Sequence, residues 1–434
     1  MQPNPAIAIV GSGPAGCYLA QTLRRSMPDA EITMFDRLAS PFGLVRYGVA
    51  PDHQGTKSIQ AQFARLFERD NVRFAGNVEV GSKLSLDALR DTHHVVVLAT
   101  GLARDRALRV PGESLSGVYG AGQFTRTMNT HPHENPTLPL LGDTVAIIGG
   151  GNVSLDVVRL LIKSPADFDG SDVNDPAVEA YAESPVREID LICRSSADAA
   201  PFDPSMLAEL GRIPGVQFAS EGQTLSGANT SSATQSALEG LRSSEPDGPP
   251  RVRVRIHFNS TTTRIAGKDR VEGVEIRLPD GSLHVIEARS VITAVGFDFD
   301  PSDPLLGEMG ANSDTGLLAE GLYRTGWAKR GSRGTIPENR QCAKAVAAEI
   351  LKYLAATQSS APKAGYSGLP DATLRHVIDF EGWLRVDAAE RAAAPPNRSR
   401  KKFADHSWMV ATAHENIDGQ TTSAAQRRHV KEQS

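Results

Sequence analysis

The sequence predicts an α/β fold built from two copies of one β-α-β unit. Two short, continuous apolar runs, Ala6 to Val10 and Thr144 to Ile148, are each followed by a glycine-rich turn and then by a helical stretch. Runs that are rich in β-branched residues and too short for a helix are typical of strands buried on both faces of a parallel sheet. With 434 residues, the chain is long enough for about two or three domains.

The first unit continues from its strand into the turn Gly11-Ser-Gly-Pro-Ala-Gly16, a helix, and a second strand that ends at Asp36. In a G-x-G-x-x-G turn, Gly11 makes the sharp bend, Gly13 lets the backbone approach a pyrophosphate, and Gly16 allows the helix to pack closely on the strand. A carboxylate at Asp36 can accept hydrogen bonds from ribose hydroxyls. This unit is therefore predicted to bind a dinucleotide.

The second unit has the turn Gly149-Gly-Gly-Asn-Val-Ser154, in which serine replaces the third glycine. Its next strand is followed by Arg194, Ser195 and Ser196, where an NAD-specific enzyme would carry an acid. A guanidinium can pair with a 2′-phosphate, and the two hydroxyls can donate further hydrogen bonds. The sequence therefore predicts NADPH as the nicotinamide cofactor, with NADH as a weaker substitute.

The remaining segments carry weaker structural signals. Polar and apolar residues alternate at 251–258 and 270–278, which predicts antiparallel strands with one exposed face. The stretch 219–250 is rich in Ser, Thr, Gly and Pro and predicts a surface connection. Helices are predicted at 338–356 and 372–394, with a frayed polar tail after His414.

Composition excludes several classes of protein. Lys and Arg total 46 against 51 Asp and Glu, and the net charge of −5 argues against a nucleic-acid binder. No apolar run approaches the length of a membrane span, and the first run is only five residues long and has no basic flank of the kind that a signal peptide carries, so we expect no membrane insertion and a cytoplasmic location. The scattered Cys17, Cys193 and Cys342 predict reduced thiols and offer neither a metal site nor an iron–sulfur site. The oligomeric state does not follow from the sequence.

The segment Pro41-Phe-Gly-Leu-Val-Arg-Tyr-Gly-Val-Ala-Pro-Asp-His53 does not have ordinary loop composition. Together with GSGPAG, Asp36, the ATG at 99–101, GGGNVSLDVVR at 149–159 and GWAKRGSRGTI at 326–336, it resembles the adrenodoxin reductase family. Members of this family are NADPH:ferredoxin reductases that carry FAD. The resemblance runs in order over roughly residues 5 to 403.

The resemblance implies two Rossmann-like dinucleotide-binding domains, with an NADP-binding domain (106–324) inserted in a discontinuous FAD-binding domain (1–105 and 325–434). By match to the family's motifs, FAD would be held by residues from both parts of its domain: Gly11, Gly13, Pro14, Ala15, Gly16, Asp36, Leu44, Gly48, Val80, Gly101, Trp327, Gly334, Thr335 and Ile336. NADP would be held by residues of the inserted domain: Gly149, Gly151, Asn152, Val153, Arg194, Ser195 and Ser196.

The resemblance also implies three catalytic residues, His53, Glu209 and Asp156, near the nicotinamide and the flavin edge. His53 and Glu209 would form a hydrogen-bonded pair that orients the nicotinamide carboxamide or relays a proton. Asp156 would be a further carboxylate of this cluster, or only a charge in the first turn of its helix.

The implied function is that of an FAD-dependent NADPH:ferredoxin reductase. Hydride would pass from NADPH to FAD, and single electrons would pass on to a separate ferredoxin that supplies cytochrome P450s or other oxygenases. The alternative is a divergent flavoenzyme of the same fold that acts on a quinone or a biosynthetic intermediate. Because ferredoxins are acidic, docking requires a basic surface. The candidate surfaces are Arg104, Arg106 and Arg109; Arg251, Arg253 and Arg255; and Arg398, Arg400, Lys401 and Lys402.

Overall fold

The computed structural model of the protein describes residues 4–137, 140–221, 232–243, 246, 248–305, 307, 314–357 and 361–415. Its strands are β1 (Ala6–Val10), β2 (Glu31–Phe35), β3 (Val72–Ala75), β4 (Val95–Leu98), β5 (Arg104–Asp105), β6 (Val118–Gly120), β7 (Thr144–Ile148), β8 (Glu188–Ile192), β9 (Val216–Glu221), β10 (Val252–His257), β11 (Thr261–Gly267), β12 (Val271–Arg277), β13 (Leu283–Glu287), β14 (Ser290–Thr293), β15 (Phe297–Asp298), β16 (Leu317–Ala319) and β17 (Leu322–Arg324).

The helices lie between these strands and in the C-terminal part. They are α1 (Pro14–Ser26), α2 (Leu44–Tyr47), α3 (Gln54–Lys57), α4 (Ile59–Glu68), α5 (Leu86–Thr92), α6 (Ala121–Met128), α7 (Asn152–Ile162), α8 (Asp175–Glu183), α9 (Pro204–Leu210), α10 (Ser232–Ser243), α11 (Trp327–Arg330), α12 (Ile336–Ala356), α13 (Asp371–Leu374), α14 (Phe380–Ala392) and α15 (His406–His414). Short 3-10 turns occur at Pro165–Phe168 and Gly365–Gly368. The predicted tail lies outside the described residues from 416 onward.

The first sheet has the strand order β16-β17-β4-β1-β2-β3. All neighbours pair in parallel except β16 and β17, which are antiparallel. The predicted strand β1 lies inside this sheet and is buried along its whole length. β17 pairs in parallel with β4, so the chain returns to this sheet at Leu317, before the predicted boundary at residue 325.

The second sheet is parallel throughout, in the order β6-β14-β7-β8-β10-β9. The prediction of an antiparallel strand at 251–258 is therefore wrong, since β10 runs parallel to both neighbours. Its alternating pattern has another cause: Arg253 and Arg255 lie opposite Glu188 and Asp190 of β8 and form a charged row on one face. The prediction for 270–278 is confirmed, because β12 pairs antiparallel with β11 and β13.

The stretch 219–250 is not a simple surface connection. It includes the end of β9 and the helix α10, whose Leu238 and Leu241 are buried in the core of the second sheet. The helix escaped prediction because the stretch in which it lies is rich in Ser, Thr, Gly and Pro, a composition typical of loops. The helix predicted at 338–356 is present as α12, whereas the helical region predicted at 372–394 is divided into α13 and α14 by a break at 375–379.

The two sheets are joined by a short antiparallel ribbon made of β5 and β15. Within the described ranges, no helix is both long enough and apolar enough to cross a membrane. Each sheet carries a glycine turn at the carboxyl end of a strand, β1 in the first and β7 in the second. These turns are where ligands bind in open parallel sheets.

Candidate active site

The first glycine turn requires glycine at two positions for steric reasons. Gly11 has φ +109°, and a Cβ atom there would lie 2.4 Å from the carbonyl oxygen of Ala99. A Cβ at Gly16 would lie 2.2 Å from the carbonyl oxygen of Gly11. Both contacts are far shorter than any real Cβ contact, so the turn and the close helix packing depend on these residues, as predicted.

Gly13 has a different environment, which fits a bound pyrophosphate. It precedes α1 as the N-cap residue, no side chain caps the helix, and a Cβ there would meet nothing within 4 Å. The same open space surrounds Gly101, which has φ +71° and follows β4. The N-terminal turn of α1, with Pro14 and Ala15, therefore presents its partial positive charge beside open space, as binding of FAD's diphosphate requires.

Asp36 lies at the carboxyl end of β2, where the ribose prediction placed it. Its Oδ2 accepts hydrogen bonds from the backbone N–H (3.1 Å) and hydroxyl (2.5 Å) of Ser12, and its Oδ1 accepts one from the N–H of Leu38 (3.0 Å). Burial raises the pKa of this carboxyl, and the bonds from Ser12 oppose the rise. Carboxylate oxygens accept more than one hydrogen bond, so Asp36 retains capacity for a ribose hydroxyl.

The predicted flavin-binding residues between 41 and 80 differ in their exposure and in what they pack against. The loop before α2 lies against the first glycine turn, because Phe42 N–H donates to the carbonyl of Ser12 (3.1 Å). Leu44 is exposed, and a Cβ at Gly48 would lie 2.2 Å from its side chain, so Gly48 leaves room for Leu44. Val80 is only 5% exposed and its side chain belongs to the hydrophobic core.

Residues that follow β17, the last strand of the first sheet in chain order, come close to the start of α1. A Cβ at Gly326 would lie 2.4 Å from the Cβ of Ala15. The next residue, Trp327, donates from Nε1 to the carbonyl of Gly334 (3.2 Å) and stacks on Phe297 with ring centroids 5.5 Å apart.

The predicted loop Gly334-Thr335-Ile336 starts α12, and its helix cap was not foreseen. The backbone N–H and hydroxyl of Thr335 both donate to Glu338 in a capping box. The amide of Thr335 is therefore bound by the protein itself.

The second glycine turn repeats the geometry of the first. Gly149 has φ +144°, and a Cβ there would lie 2.3 Å from the carbonyl oxygen of Ala294. Gly151 is the N-cap residue of α7, without a side-chain cap and with nothing within 4 Å of a Cβ. Ser154, at the place of the third glycine, is fully buried and donates its hydroxyl to the carbonyl of Gly151 (2.6 Å).

Two other predicted NADP residues lie in the first turn of α7. Asn152 uses its Oδ1 to accept the N–H of Asp203 (2.8 Å), which ties α7 to the loop before α9. Val153 is partly buried against the core of the second sheet. Their backbone amides belong to the uncapped helix start and fit a second diphosphate.

Arg194 lies two residues after the end of β8 and is exposed. Its guanidinium forms no hydrogen bond or ion pair with another residue in the described ranges. A Cβ at Gly150 would lie 3.5 Å from the hydroxyl of Ser195, so this serine stands beside the second glycine turn. Ser196 begins the tight turn that follows, since its carbonyl accepts the N–H of Ala200 (3.0 Å). A free cation and a hydroxyl next to the turn fit a 2′-phosphate.

The three predicted catalytic residues meet in space. His53 Nε2 lies 3.3 Å from Glu209 Oε2, and His53 Nδ1 lies 3.8 Å from Asp156 Oδ1. The three side chains are 25%, 36% and 23% exposed, so each reaches solvent in part. Asp156 is the fifth residue of α7 and lies beyond the first turn, so the reading of it as a first-turn helix charge is wrong.

Arg159 completes this cluster and was not identified from the sequence. It is 1% exposed, its Nε and Nη2 bind Asp52 Oδ2 and Oδ1 at 2.9 Å each, and its Nη1 lies 2.7 Å from Asp156 Oδ1. Its Nε also lies 3.6 Å from Glu209 Oε1. The available signal was a lone arginine within the apolar stretch of α7, three residues after Asp156.

The environments of Asp52 and Asp156 shift the pKa values of these two acids in opposite directions. Burial alone would raise the pKa of Asp52, but hydrogen bonds and charge from Arg159, together with Lys163 at 2.6 Å, hold it well below its ordinary value. Burial raises the pKa of Asp156, and the nearby charges of Arg159 and His53 oppose the rise. Asp52 is therefore a fixed anion, whereas Asp156 is the more easily protonated acid of the pair.

One of the three candidate basic surfaces is not a surface. Arg398 is 6% exposed and binds Asp175 (2.8 Å), and the ammonium of Lys402 is buried 2.8 Å from Asp172. Arg400 is 11% exposed and pairs with Asp387 and Glu390. These cations are neutralised inside the protein, so the prediction that this cluster steers a partner is wrong for all but the exposed Lys401.

The second candidate surface is neutralised in part. Arg255 binds Asp190 through two hydrogen bonds (2.8 and 2.9 Å), and Arg253 lies 3.9 Å from Glu188.

In the part of the chain that the structure covers, no group of three or more His, Cys, Asp or Glu side chains could hold a metal ion.

Comparisons with known proteins agree with this architecture. The family model of the pyridine nucleotide-disulphide oxidoreductases matches residues 5–167. The chain is 42% identical to cindoxin reductase of Citrobacter braakii, over 98% of this chain and 95% of that protein. It is 32% identical to mitochondrial NADPH:adrenodoxin oxidoreductase of Arabidopsis thaliana, over 94% of this chain and 95% of that protein.

Among solved structures, Mycobacterium tuberculosis FprA in complex with NADPH superimposes with a TM-score of 0.86 at 30% identity, over 95% of this chain and 100% of that chain. The α/β fold with parallel sheets is thereby confirmed. Relatives of this identity and coverage, together with the motifs and the two glycine turns, establish that the chain belongs to the adrenodoxin reductase family of pyridine nucleotide-disulphide oxidoreductases.

Proposed function

We propose that this protein is an FAD-dependent NADPH:ferredoxin reductase. The observation that carries the proposal is the contact of His53 with Glu209 and Asp156. His53 follows the loop beside the first glycine turn, whereas the two acids belong to helices of the second sheet. The group therefore stands where ligands of the two turns would meet.

In this proposal, each of the two sheets binds one of the two cofactors. Residues 1–105 and the part of the chain that returns from Leu317 onward would bind FAD, and the inserted segment between them would bind NADP. FAD, when bound, supplies the conversion between a two-electron hydride and single electrons. The ribbon of β5 and β15 marks both passages between the two units.

The protein's own residues would bind and orient the nicotinamide. The uncapped start of α7 would hold the diphosphate, and Arg194 with Ser195 would hold the 2′-phosphate, which favours NADPH over NADH. His53, held by the two acids, would donate or accept a hydrogen bond at the carboxamide. Trp327 and its partner Phe297 would limit the access of water.

The electron acceptor is proposed from the relatives and from the thiols. The relatives are named for cindoxin, adrenodoxin and ferredoxin. Cys17, Cys193 and Cys342 are all buried and unpaired, and burial raises the pKa of Cys17 and Cys193 thiols, the latter to about 12. Such thiols are inert, so an iron–sulfur protein fits better than a disulfide as acceptor. Free thiols also support a cytoplasmic location.

We propose that the acceptor docks at Arg104, Arg106 and Arg109. All three are exposed, and the ion pair of Arg106 with Asp298 (3.3 Å) is itself solvent-exposed and contributes little. The surface adjoins the ribbon, and Arg106 Nη2 lies 3.4 Å from the hydroxyl of Ser332 beside the Trp327 helix. A basic surface near the flavin side would steer an acidic ferredoxin.

A coupled assay tests this function. With NADPH as donor, the protein should reduce cytochrome c only when a ferredoxin is added. Reduction of a quinone at a comparable rate, with no response to ferredoxin, would instead favour a flavoenzyme that acts on a small molecule. Heat-treated protein and ferredoxin without protein are the controls.

A further inference from the structure

We propose that Arg159 is the positioning residue of the hydride-transfer site, because it holds Asp156 and Glu209 around His53 and compensates their charge. This role rests on the function proposed above, since it concerns the same site. Arg159 is 1% exposed, so it acts through the acids that it contacts.

The Arg159 guanidinium connects the chain segment that carries His53 to Asp156 and Glu209, the two acids beside the His53 ring. Asp52, the residue before His53, accepts two parallel hydrogen bonds from Arg159 Nε and Nη2, each 2.9 Å long. Nη1 of the same group lies 2.7 Å from Asp156, and Nε lies 3.6 Å from Glu209. Because a guanidinium is planar, fixing it on Asp52 also fixes where both acids can sit.

Asp52, which binds Arg159, is also held by a second cation. Lys163, the residue directly after the end of α7, donates to Asp52 Oδ2 at 2.6 Å. Asp52 is only 5% exposed, so the pair is shielded from solvent. Among the described residues, Arg159 therefore contacts both acids and Asp52, and Lys163 adds a second positive charge on Asp52.

A buried arginine could also serve stability alone, and charge distinguishes the two roles. Loss of the Arg159 cation leaves the acids uncompensated, which favours a protonated His53. Loss of the Asp52 anion leaves the cations uncompensated, which favours a neutral His53. A purely structural role predicts no such opposite effects from two variants that break the same ion pair.

The test follows the ring protons of His53 by NMR across pH in the FAD-loaded protein, with His53→Gln to assign the signal. The titration midpoint should rise by about one pH unit in Arg159→Gln and fall in Asp52→Asn. Arg398→Gln is the matched control, since Arg398 is also a buried arginine (6% exposed) paired with an acid, at 2.8 Å from Asp175. It should leave the midpoint unchanged.

Arg159→Lys separates orientation from charge. It keeps the cation but loses the two-pronged bond, so the midpoint should stay near that of the wild type while the limiting rate of flavin reduction by NADPH falls about tenfold. The proposal is overturned if folded Arg159→Gln leaves the midpoint unchanged, or if it and Asp52→Asn move it in the same direction. If Arg159→Gln does not fold, Asp52→Asn and Arg159→Lys decide alone.

Failure of the proposed function would look different. If NADPH does not reduce the flavin of the wild-type protein, the reductase function is wrong, whereas the ring titration still reports on the cluster. If the flavin is reduced normally and the midpoints do not move, only the role of Arg159 is wrong.

Discussion

His53 and Glu209 are separated by 156 positions in the chain, yet His53 Nε2 lies 3.3 Å from Glu209 Oε2. The contact joins the segment before α3, which belongs to the part of the chain that forms the first sheet, to helix α9 beside the second sheet. A histidine that is 25% exposed and held by an acid has one defined orientation while still reaching solvent. It is therefore suited to hold a flat polar group such as a carboxamide.

We expect His53→Gln and Glu209→Gln each to slow flavin reduction by NADPH by up to about 100-fold, because a small misplacement of the reacting groups has an effect of this size. Stopped-flow measurement of flavin bleaching under anaerobic conditions gives the rate. His284→Gln is the control, since His284 is exposed on the edge strand β13. Equal rates for His53→Gln and the wild type would refute the role.

Arg194→Ala should raise KM for NADPH by about 10- to 100-fold, the value of one or two charge-assisted hydrogen bonds, and leave kcat nearly unchanged. KM for NADH should not rise, because NADH has no 2′-phosphate. Steady-state kinetics with both donors measure the difference. A parallel loss with NADH would mean that Arg194 supports the fold instead of the phosphate.

Gly13→Ala should fold but fail to retain FAD. The backbone of Gly13 has φ −73°, which alanine adopts readily, and its Cβ would meet no protein atom within 4 Å. That Cβ would occupy the space expected for the pyrophosphate. Circular dichroism should stay native while the visible flavin spectrum is lost. Gly240→Ala, also without contacts within 4 Å, is the control and should keep its flavin.

Stability should fall as pH drops below about 6.5, partly through His131. Burial, and then the nearby Arg126, lower the pKa of His131 to about 3, and its ring packs on Tyr47 with centroids 4.8 Å apart. Because the folded-state pKa lies below the unfolded value, stability is fully present above about pH 6.5 and is lost toward pH 3. By pH 5 the loss from this group is about 2 kcal/mol.

Urea unfolding at pH 7 and pH 5 measures that loss in the free energy of unfolding. His131→Gln should reduce the difference between the two pH values, whereas the exposed His284→Gln should not. An unchanged difference in His131→Gln would assign the acid sensitivity to other groups, such as His93, whose pKa burial lowers to about 4.

Arg104→Glu should lower kcat/KM for ferredoxin several-fold at low salt and flatten its dependence on ionic strength, since charges at the rim of an interface act mainly on association. Flavin reduction by NADPH should be unaffected. Arg253→Glu is the matched comparison, because Arg253 is an exposed arginine of the second candidate surface. A larger effect of Arg253→Glu would move the docking site to β10.

The two glycine turns and the strand and helix on either side of each turn were predictable from the sequence because they are local. A buried five-residue run followed by glycines specifies strand, turn and helix with few alternatives. The approach of Gly11 to Ala99 and of Gly149 to Ala294 could not be read from spacing, although the glycines themselves signalled it.

Features that depend on distant partners were missed or misread. Alternation in β10 arises from the charged row opposite Glu188 and Asp190, so an inner parallel strand looked like an antiparallel one. The role of Arg159 was missed because Asp52, which takes two hydrogen bonds from it, is more than a hundred positions away. Likewise, Arg398 and Lys402 looked like surface charges because their acids, Asp175 and Asp172, lie in another part of the chain.

The most direct test of the reductase function is an anaerobic titration of the protein's visible flavin spectrum with NADPH and then NADH, followed by one addition of oxidised ferredoxin. We predict that NADPH bleaches the flavin at lower concentration than NADH and that ferredoxin restores the oxidised spectrum. A flavin that NADPH reduces but ferredoxin does not reoxidise would contradict the account and direct attention to a small-molecule acceptor.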